Sequence, residues 1–474
     1  MNLFNLTIKE ACQSLKENKI SCTELLKSCL NRITKTEKIL NAFITVDQEN
    51  SIGLAQEYDS LIAKTKGEIF NEKPLLGIPV AIKDLFCTNN LRTTAGSNVI
   101  NEYIPSYDAT VVRKLKEAGV VIVGKTNEDA WGHGSSGENS DHGITKNPYD
   151  VSRVPGGSSS GSGAAMAAGA CLLATGTDTG SSVRLPAAYC NLIGIKPTYG
   201  RVSRYGIISM ASSFDTIGHL TRTVYDNAKV LEITAGKDPF DATSSCANVP
   251  KYSLDIDKSI KGLTIGVPRE YFVEGMDKNV ETKVYDAIAV LEKLGAKVKK
   301  ISLPSTSYAM ACYYILVPSE VSSNLARFDG IRFGREREMF GDEAKRRIML
   351  GTYTLSAGYY DAYYLKAAKV RSLVLKDFEE AFKIVDVIIV PSSPSLPFQI
   401  GEKSKDPVQM YLSDIFLCPI NIAGIPSLNV PCGFVKGLPV GMQIVGRQFG
   451  EEYLYRVGYA YEQETQFYKQ LPAM

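Results

Sequence analysis

"DATVVRKLKEAGVVIVGKT", residues 108–126, changes character at its central glycine. Asp108 is placed to cap a helix over 108–119, and Gly119 is the residue type that ends one, since glycine alone enters the left-handed region freely. Val120–Val123 is then a short β-branched run, the composition of a buried strand. The alternation recurs along the chain. "LLGIPVAI" (75–82) and "LTIGV" (263–267) read as strands. A helix over 277–294 with Val280, Val284, Ile288 and Leu291 on one face ends at Gly295 and leads into the strand "AKVKKISL". "IVDVIIVP" (384–391) and "VGMQIVG" (440–446) add further strands, while Thr7/Glu10 and Ser21/Glu24 form capping boxes for two helices within residues 1–45. Strands alternating with helices predict an α/β fold: a single large domain whose mixed, mostly parallel central sheet is covered by helices on both faces. Its expected parts are the N-terminal helices (1–45), a core (70–220) and the rest of the sheet (260–474), with the Pro/Asp/Ser stretch 237–260 as an internal joint.

With 474 residues, 44% of them hydrophobic, the chain can bury a large core. Its 53 lysines and arginines balance 51 acidic residues, which argues against nucleic-acid binding by this chain alone. No secretory apolar run opens the sequence, and Gly163–Ala174 falls short of the ~20 residues a membrane helix needs. Ten scattered cysteines without a CxxC pair fit a reducing, cytoplasmic setting. The three histidines, His133, His142 and His219, form no metal-ligand spacing, and the first two sit in a polar Gly/Ser-rich region that reads as loop. No metal is expected.

Two stretches imitate nucleotide sites. "GVVIVGKT" (119–126) fits the phosphate-loop pattern, but its variable positions are Val120, Val121, Ile122 and Val123, which stay extended and spend their N–H groups in a sheet. Gly124 reads as the end of that strand. "VAIK" (80–83) matches a kinase strand without the glycine-rich loop, HRD or DFG that a kinase needs. Lys83 is left unexplained at the end of an apolar strand.

The third notable region is "VPGGSSSGSGAAMAAGACLLATGTDTGSSVRLP" (154–186): a Gly/Ser loop, a helix of tiny residues and a second Gly/Ser turn. Such loops aim backbone N–H groups at a developing anion. "GGSS" followed by "DTGSSVR", together with "GIPVAIKD", resembles the amidase signature family. The resemblance implies that family's fold and a Ser–Ser–Lys triad: Ser182 as nucleophile, Lys83 as base, and Ser158, after a cis peptide, passing the proton between them. It further implies an oxyanion hole from the N–H groups of Thr179, Gly180, Ser181 and Ser182. Ser181 and Ser160 stand where the family commonly has glycine; if position 181 needs positive φ, serine there costs about 1–2 kcal/mol. A base must be neutral, and lowering a lysine from ~10.4 to about 7 corresponds to roughly 4–5 kcal/mol, which burial beside "VAI" can supply. Asp84 points to the opposite face of the strand and leaves that desolvation intact.

"KPTYGRVSRYGIISMASSFDTIG" (196–218), "SEVSSNLARFDGIRFG" (319–334), "KRRIMLGTYTLSAGYYDAYYLKAAKVR" (345–371) and "DPVQMYLSDIF" (406–416) resemble the glutaminase subunits of tRNA-dependent amidotransferases. That resemblance implies release of ammonia from glutamine. It implies B and C partner subunits in a heterotrimer, ATP and Mg²⁺ on a partner, and amidation of Glu-tRNA(Gln) or Asp-tRNA(Asn) there. Glutamine presents one carboxylate and one ammonium, so a selective pocket needs one cation and one anion. By the resemblance these are Arg347, with Arg346 adjacent, and Asp414, with Tyr313 lining the pocket. The stretch between "GIRFG" and "KRRIMLG" is shorter than usual in such subunits. The alternative is a stand-alone amidase of small aryl or alkyl amides.

Overall fold

The computed structural model describes residues 2–474. Eleven strands build one sheet: β1 Phe43–Val46, β2 Pro79–Lys83, β3 Val121–Thr126, β4 Leu173–Asp178, β5 Ile193–Lys196, β6 Thr216–Thr221, β7 Thr264–Pro268, β8 Lys297–Ile301, β9 Val387–Pro391, β10 Ser427–Val435 and β11 Leu438–Val445. Their order is β1-β3-β2-β4-β6-β5-β10-β11-β9-β7-β8. Every residue of β2, β4, β5, β6, β9 and β11 is buried, so both faces of the sheet are covered there. The edge strand β8 differs: Lys297, Lys299 and Lys300 are exposed.

The sheet is mixed, as the alternating pattern predicts, but it lacks the expected parallel majority. Six of its ten pairings are antiparallel. Parallel pairs occur where a helix crosses between strands, as helix Thr110–Glu117 does from β2 to β3 and helix Lys278–Lys293 from β7 to β8. The centre is joined otherwise. β10 and β11 form a tight hairpin through Lys436 (φ 51) and Gly437 (φ 81), two positive φ values in succession that suit the twist of such a turn.

Local signals translate well at the helix ends. Both capping boxes form, Asp277 accepts the N–H of Asn279, and Gly119 and Gly295 take positive φ. Asp108 does not cap its helix, which starts at Thr110 behind Ala109. Its carboxylate accepts the N–H of Asn89 and two hydrogen bonds from Lys116 instead. Nor does Gly124 end β3, which continues through it to Thr126 with a register shift opposite Val80/Ala81. This extension carries Lys125 into the sheet.

β2 and β4 are parallel neighbours, so their C-terminal ends lie on the same side. Lys83 ends β2, and the second Gly/Ser turn leaves the end of β4. The first Gly/Ser loop leads into helix Ser160–Ala167, which packs on both strands.

Candidate active site

Lys83 is wholly buried. Its Nζ lies 2.7 Å from Ser158 Oγ and 3.1 Å from both Ser159 Oγ and Thr177 Oγ1. Burial lowers its pKa from the ordinary lysine value, opposed by the charges of Glu128 and Asp129. The Gly157–Ser158 peptide is cis, the geometry the family resemblance implies. Side-chain atoms cannot be added at Gly157, where a Cβ would collide with the Asp129 carboxylate. That carboxylate in turn accepts the N–H groups of Gly137 and Asn139, pinning the neighbouring loop.

Ser182 stands beside this group, because its carbonyl accepts the N–H of Ser159 at 3.2 Å. Its turn is wound around one ion pair. Asp178 Oδ2 accepts the N–H groups of Val183 and Arg184, while the Arg184 guanidinium bonds Asp178 and the carbonyl of Gly180. Burial alone would raise Asp178; the charge and hydrogen bonds of Arg184 outweigh it and hold the carboxyl at about 2. Among the described residues no protein acceptor takes the N–H of Thr179, Gly180, Ser181 or Ser182, so all four are free to face an anion. Ser181 is not among the residues with positive φ, so the conditional cost of a serine there does not arise.

Of the three expected pocket residues, Tyr313 and Asp414 meet the same turn, and the charge of Arg347 acts on both. The Tyr313 hydroxyl lies so close to Gly180 that a Cβ there would sit 2.7 Å from it. Of the two adjacent arginines, Arg347 is buried and Arg346 is exposed. Arg347 Nε donates to Glu343 Oε1 at 2.8 Å, and its guanidinium lies over the rings of Tyr314 and Tyr411 at 5.4 and 5.8 Å. Asp414 is buried with Oδ1 unpartnered; burial pushes it up to about 6 against the Ser181 hydroxyl, Arg347 and Ser135.

The family model for amidases matches residues 24–455. The chain belongs to the amidase family. It is 50% identical over 489 aligned positions to the A subunit of glutamyl-tRNA(Gln) amidotransferase from Geobacillus kaustophilus, and equally so to that from Carboxydothermus hydrogenoformans, with all of each chain covered. Among solved structures, the A subunit of the same enzyme from Thermotoga maritima superposes with a TM-score of 0.86 at 40% identity, covering 100% of this chain and 98% of that one.

The amidase carries two buried groups at this site that sequence reasoning missed. Glu128, just past β3, is fully buried with Oε2 3.5 Å from Lys83 Nζ. Its surroundings "KTNEDAWG" read as a polar loop, and no local signal marks it. His133, expected in a solvated loop, is likewise wholly buried, with both ring nitrogens unpartnered. Burial pushes it well below the usual imidazole range, and the Arg347 charge adds to this. The lone tryptophan was the available clue. Trp131 sits between Phe328 and Phe340, with centroids 4.9 and 5.3 Å away, and draws its segment inward. His142 is half-buried against Thr94 Oγ1, and His219 is buried against Thr234 Oγ1. Among the described residues no cluster of potential ligands could hold a metal ion, and no helix is long and apolar enough to cross a membrane.

The nucleotide-site imitations also resolve. Lys125 donates to the Phe86 carbonyl and Thr93 Oγ1 at 2.9 and 2.6 Å and lies 3.6 Å from Asp84. It is occupied within the sheet and cannot reach a phosphate.

Proposed function

We propose that this amidase is the glutamine-hydrolysing subunit of a tRNA-dependent amidotransferase. The observation that carries the reading is a buried acid, Asp414, at the serine turn Gly180–Ser182, with a buried cation, Arg347, close enough for its charge to act on it. Arg347 receives the α-carboxylate of glutamine, Asp414 its α-ammonium, and Tyr313 closes the wall between them. The full-length likeness to the A subunits of glutamyl-tRNA(Gln) amidotransferases supports the same substrate.

In this reading Ser182 attacks the side-chain amide carbon of glutamine. Its proton passes to Ser158, and the proton of Ser158 passes to Lys83 Nζ, 2.7 Å away. The carbonyl electron pair moves onto oxygen, which the N–H groups of Thr179–Ser182 receive. As the carbonyl re-forms, the C–N bond breaks and Lys83 returns a proton through Ser158 to the leaving nitrogen. Ammonia departs, and water hydrolyses the glutamyl-serine ester by the same relay. The ammonia then serves a partner subunit that uses ATP and Mg²⁺ to amidate Glu-tRNA(Gln) or Asp-tRNA(Asn). The complex is read as a heterotrimer of A, B and C subunits in the cytoplasm.

The test is ammonia release from glutamine by the purified chain beside Ser182→Ala, with and without its partner subunits. Release that needs Ser182 and rises with partners and charged tRNA is expected. Cleavage of aryl amides with no glutamine turnover in any arm would instead make it a stand-alone amidase.

A further inference from the structure

We propose that Glu128 is a positioning residue for the base: its carboxylate is the counter-ion of the ammonium that Lys83 becomes on taking the Ser158 proton. The inference rests on the reading of Lys83 as that base. Lys83 and Glu128 are both completely excluded from solvent, 3.5 Å apart. The nearer neighbours of Nζ are three hydroxyls, those of Ser158, Ser159 and Thr177. A neutral amine has one lone pair and two N–H groups, and three hydroxyls suit that set: Ser158 donates to the lone pair, and the N–H groups donate to Ser159 and Thr177. Nothing is left for Glu128. No hydrogen bond reaches either of its oxygens, and its ion-pair partner is Lys83, with the Lys125 charge a weaker influence.

The other charged groups nearby are already engaged. Asp84, just past β2, and Lys125 on β3 act on Glu128 but pair with each other. Asp129 and Asp178, which act on Lys83, are held by the Gly137 and Asn139 N–H groups and by Arg184. Proton transfer to Lys83 therefore creates a cation in a dry site whose one uncommitted acid is Glu128. With the carboxylate ionised, the pair goes from one negative charge to neutral while the oxyanion forms, and no bond to Glu128 is made or broken. Without it, the same transfer leaves a buried positive charge unmatched. Burial pushes Glu128 up to about 8, with Lys83 the strongest opposing influence, so the counter-charge develops as pH rises through the mildly alkaline range.

The experiment compares kcat/KM for ammonia release from glutamine across about pH 6.5 to 9.5, on both sides of the Glu128 titration. The proteins are the full chain with its partners, Glu128→Gln, Glu128→Met and Lys83→Ala. The wild-type advantage over Glu128→Gln should grow about tenfold across that range, as the carboxylate ionises. Glu128→Met, apolar and of equal length, should give the same slope, and it folds where a buried amide is not tolerated. A ratio that does not change with pH would make Glu128 a structural group and overturn the proposal while leaving the base reading intact. Hydrolysis retained in Lys83→Ala would overturn both.

Discussion

The C-terminal ends of β2 and β3 carry two lysine–acid pairs, Lys83 with Glu128 and Lys125 with Asp84, all four side chains fully buried. Burial lowers both lysines, opposed most by Glu128 at Lys83 and by Asp84 at Lys125. What separates the pairs is the chemistry of the remaining neighbours. Lys125 meets the backbone carbonyls of Asp84 and Phe86, which only accept, and the Thr93 hydroxyl, whose own proton is committed to the Leu91 carbonyl, while Asp84 accepts from Thr94 and the N–H of Gly96. Such a cage needs an ammonium and keeps it. Lys83 meets three hydroxyls, which give protons as readily as they take them, and its acid accepts no hydrogen bond. On the proposed function, a buried lysine serves as a base where its partners can exchange protons and as a strut where they cannot.

The comparison can be broken by exchanging the phenotypes. Lys83→Ala should lower hydrolysis about 10²–10⁴-fold while the thermal melt stays within a few degrees of wild type. Lys125→Met should do the reverse. It leaves Asp84 buried and unpaired and costs about 3–5 kcal/mol in denaturant unfolding, with the residual folded protein still turning over. A Lys125 variant of unchanged stability, or a Lys83 variant that fails only by unfolding, would erase the distinction.

Smaller effects sharpen it by separating chemistry from binding. Arg347→Ala should lower kcat/KM for glutamine about 30-fold, the equivalent of about 2 kcal/mol, and leave an aryl amide almost untouched. Asp414 must be ionised to hold the ammonium, and burial has raised it to about 6. KM for glutamine should therefore climb as pH falls through that value, by nearly tenfold per unit well below it, and Asp414→Asn should flatten the dependence. Ser181→Gly should destabilise by about 1 kcal/mol in denaturant unfolding, since it relieves no left-handed strain and removes a buried hydroxyl from Asp414.

These contrasts also mark how far the sequence could be read. Helix ends were legible because Thr7, Ser21, Asp277 and Gly295 act on atoms a few residues away. The meeting of Lys83 with Ser158 was legible because the spacing of these stretches resembles that of a known family. The balance of parallel and antiparallel pairs was not, because β5 pairs with β10 across a long stretch of chain. Even so, Lys436–Gly437 between two apolar runs was a hairpin signal in plain sight. Glu128 was beyond reach and His133 was hinted at only by Trp131, since an acid and an imidazole in a polar segment look solvated until the sheet and the Trp131 anchor close over them.

The lysines of β8 bear on a different matter. A sheet of eleven strands must stop somewhere, and its last strand offers unpaired backbone groups to any passing chain. Lys297, Lys299 and Lys300 place like charges along that rim, so two copies meeting edge to edge repel before their strands can zip together. This edge keeps a large sheet from templating its own aggregation, and neutralising the three lysines together would be a direct route to fibrils.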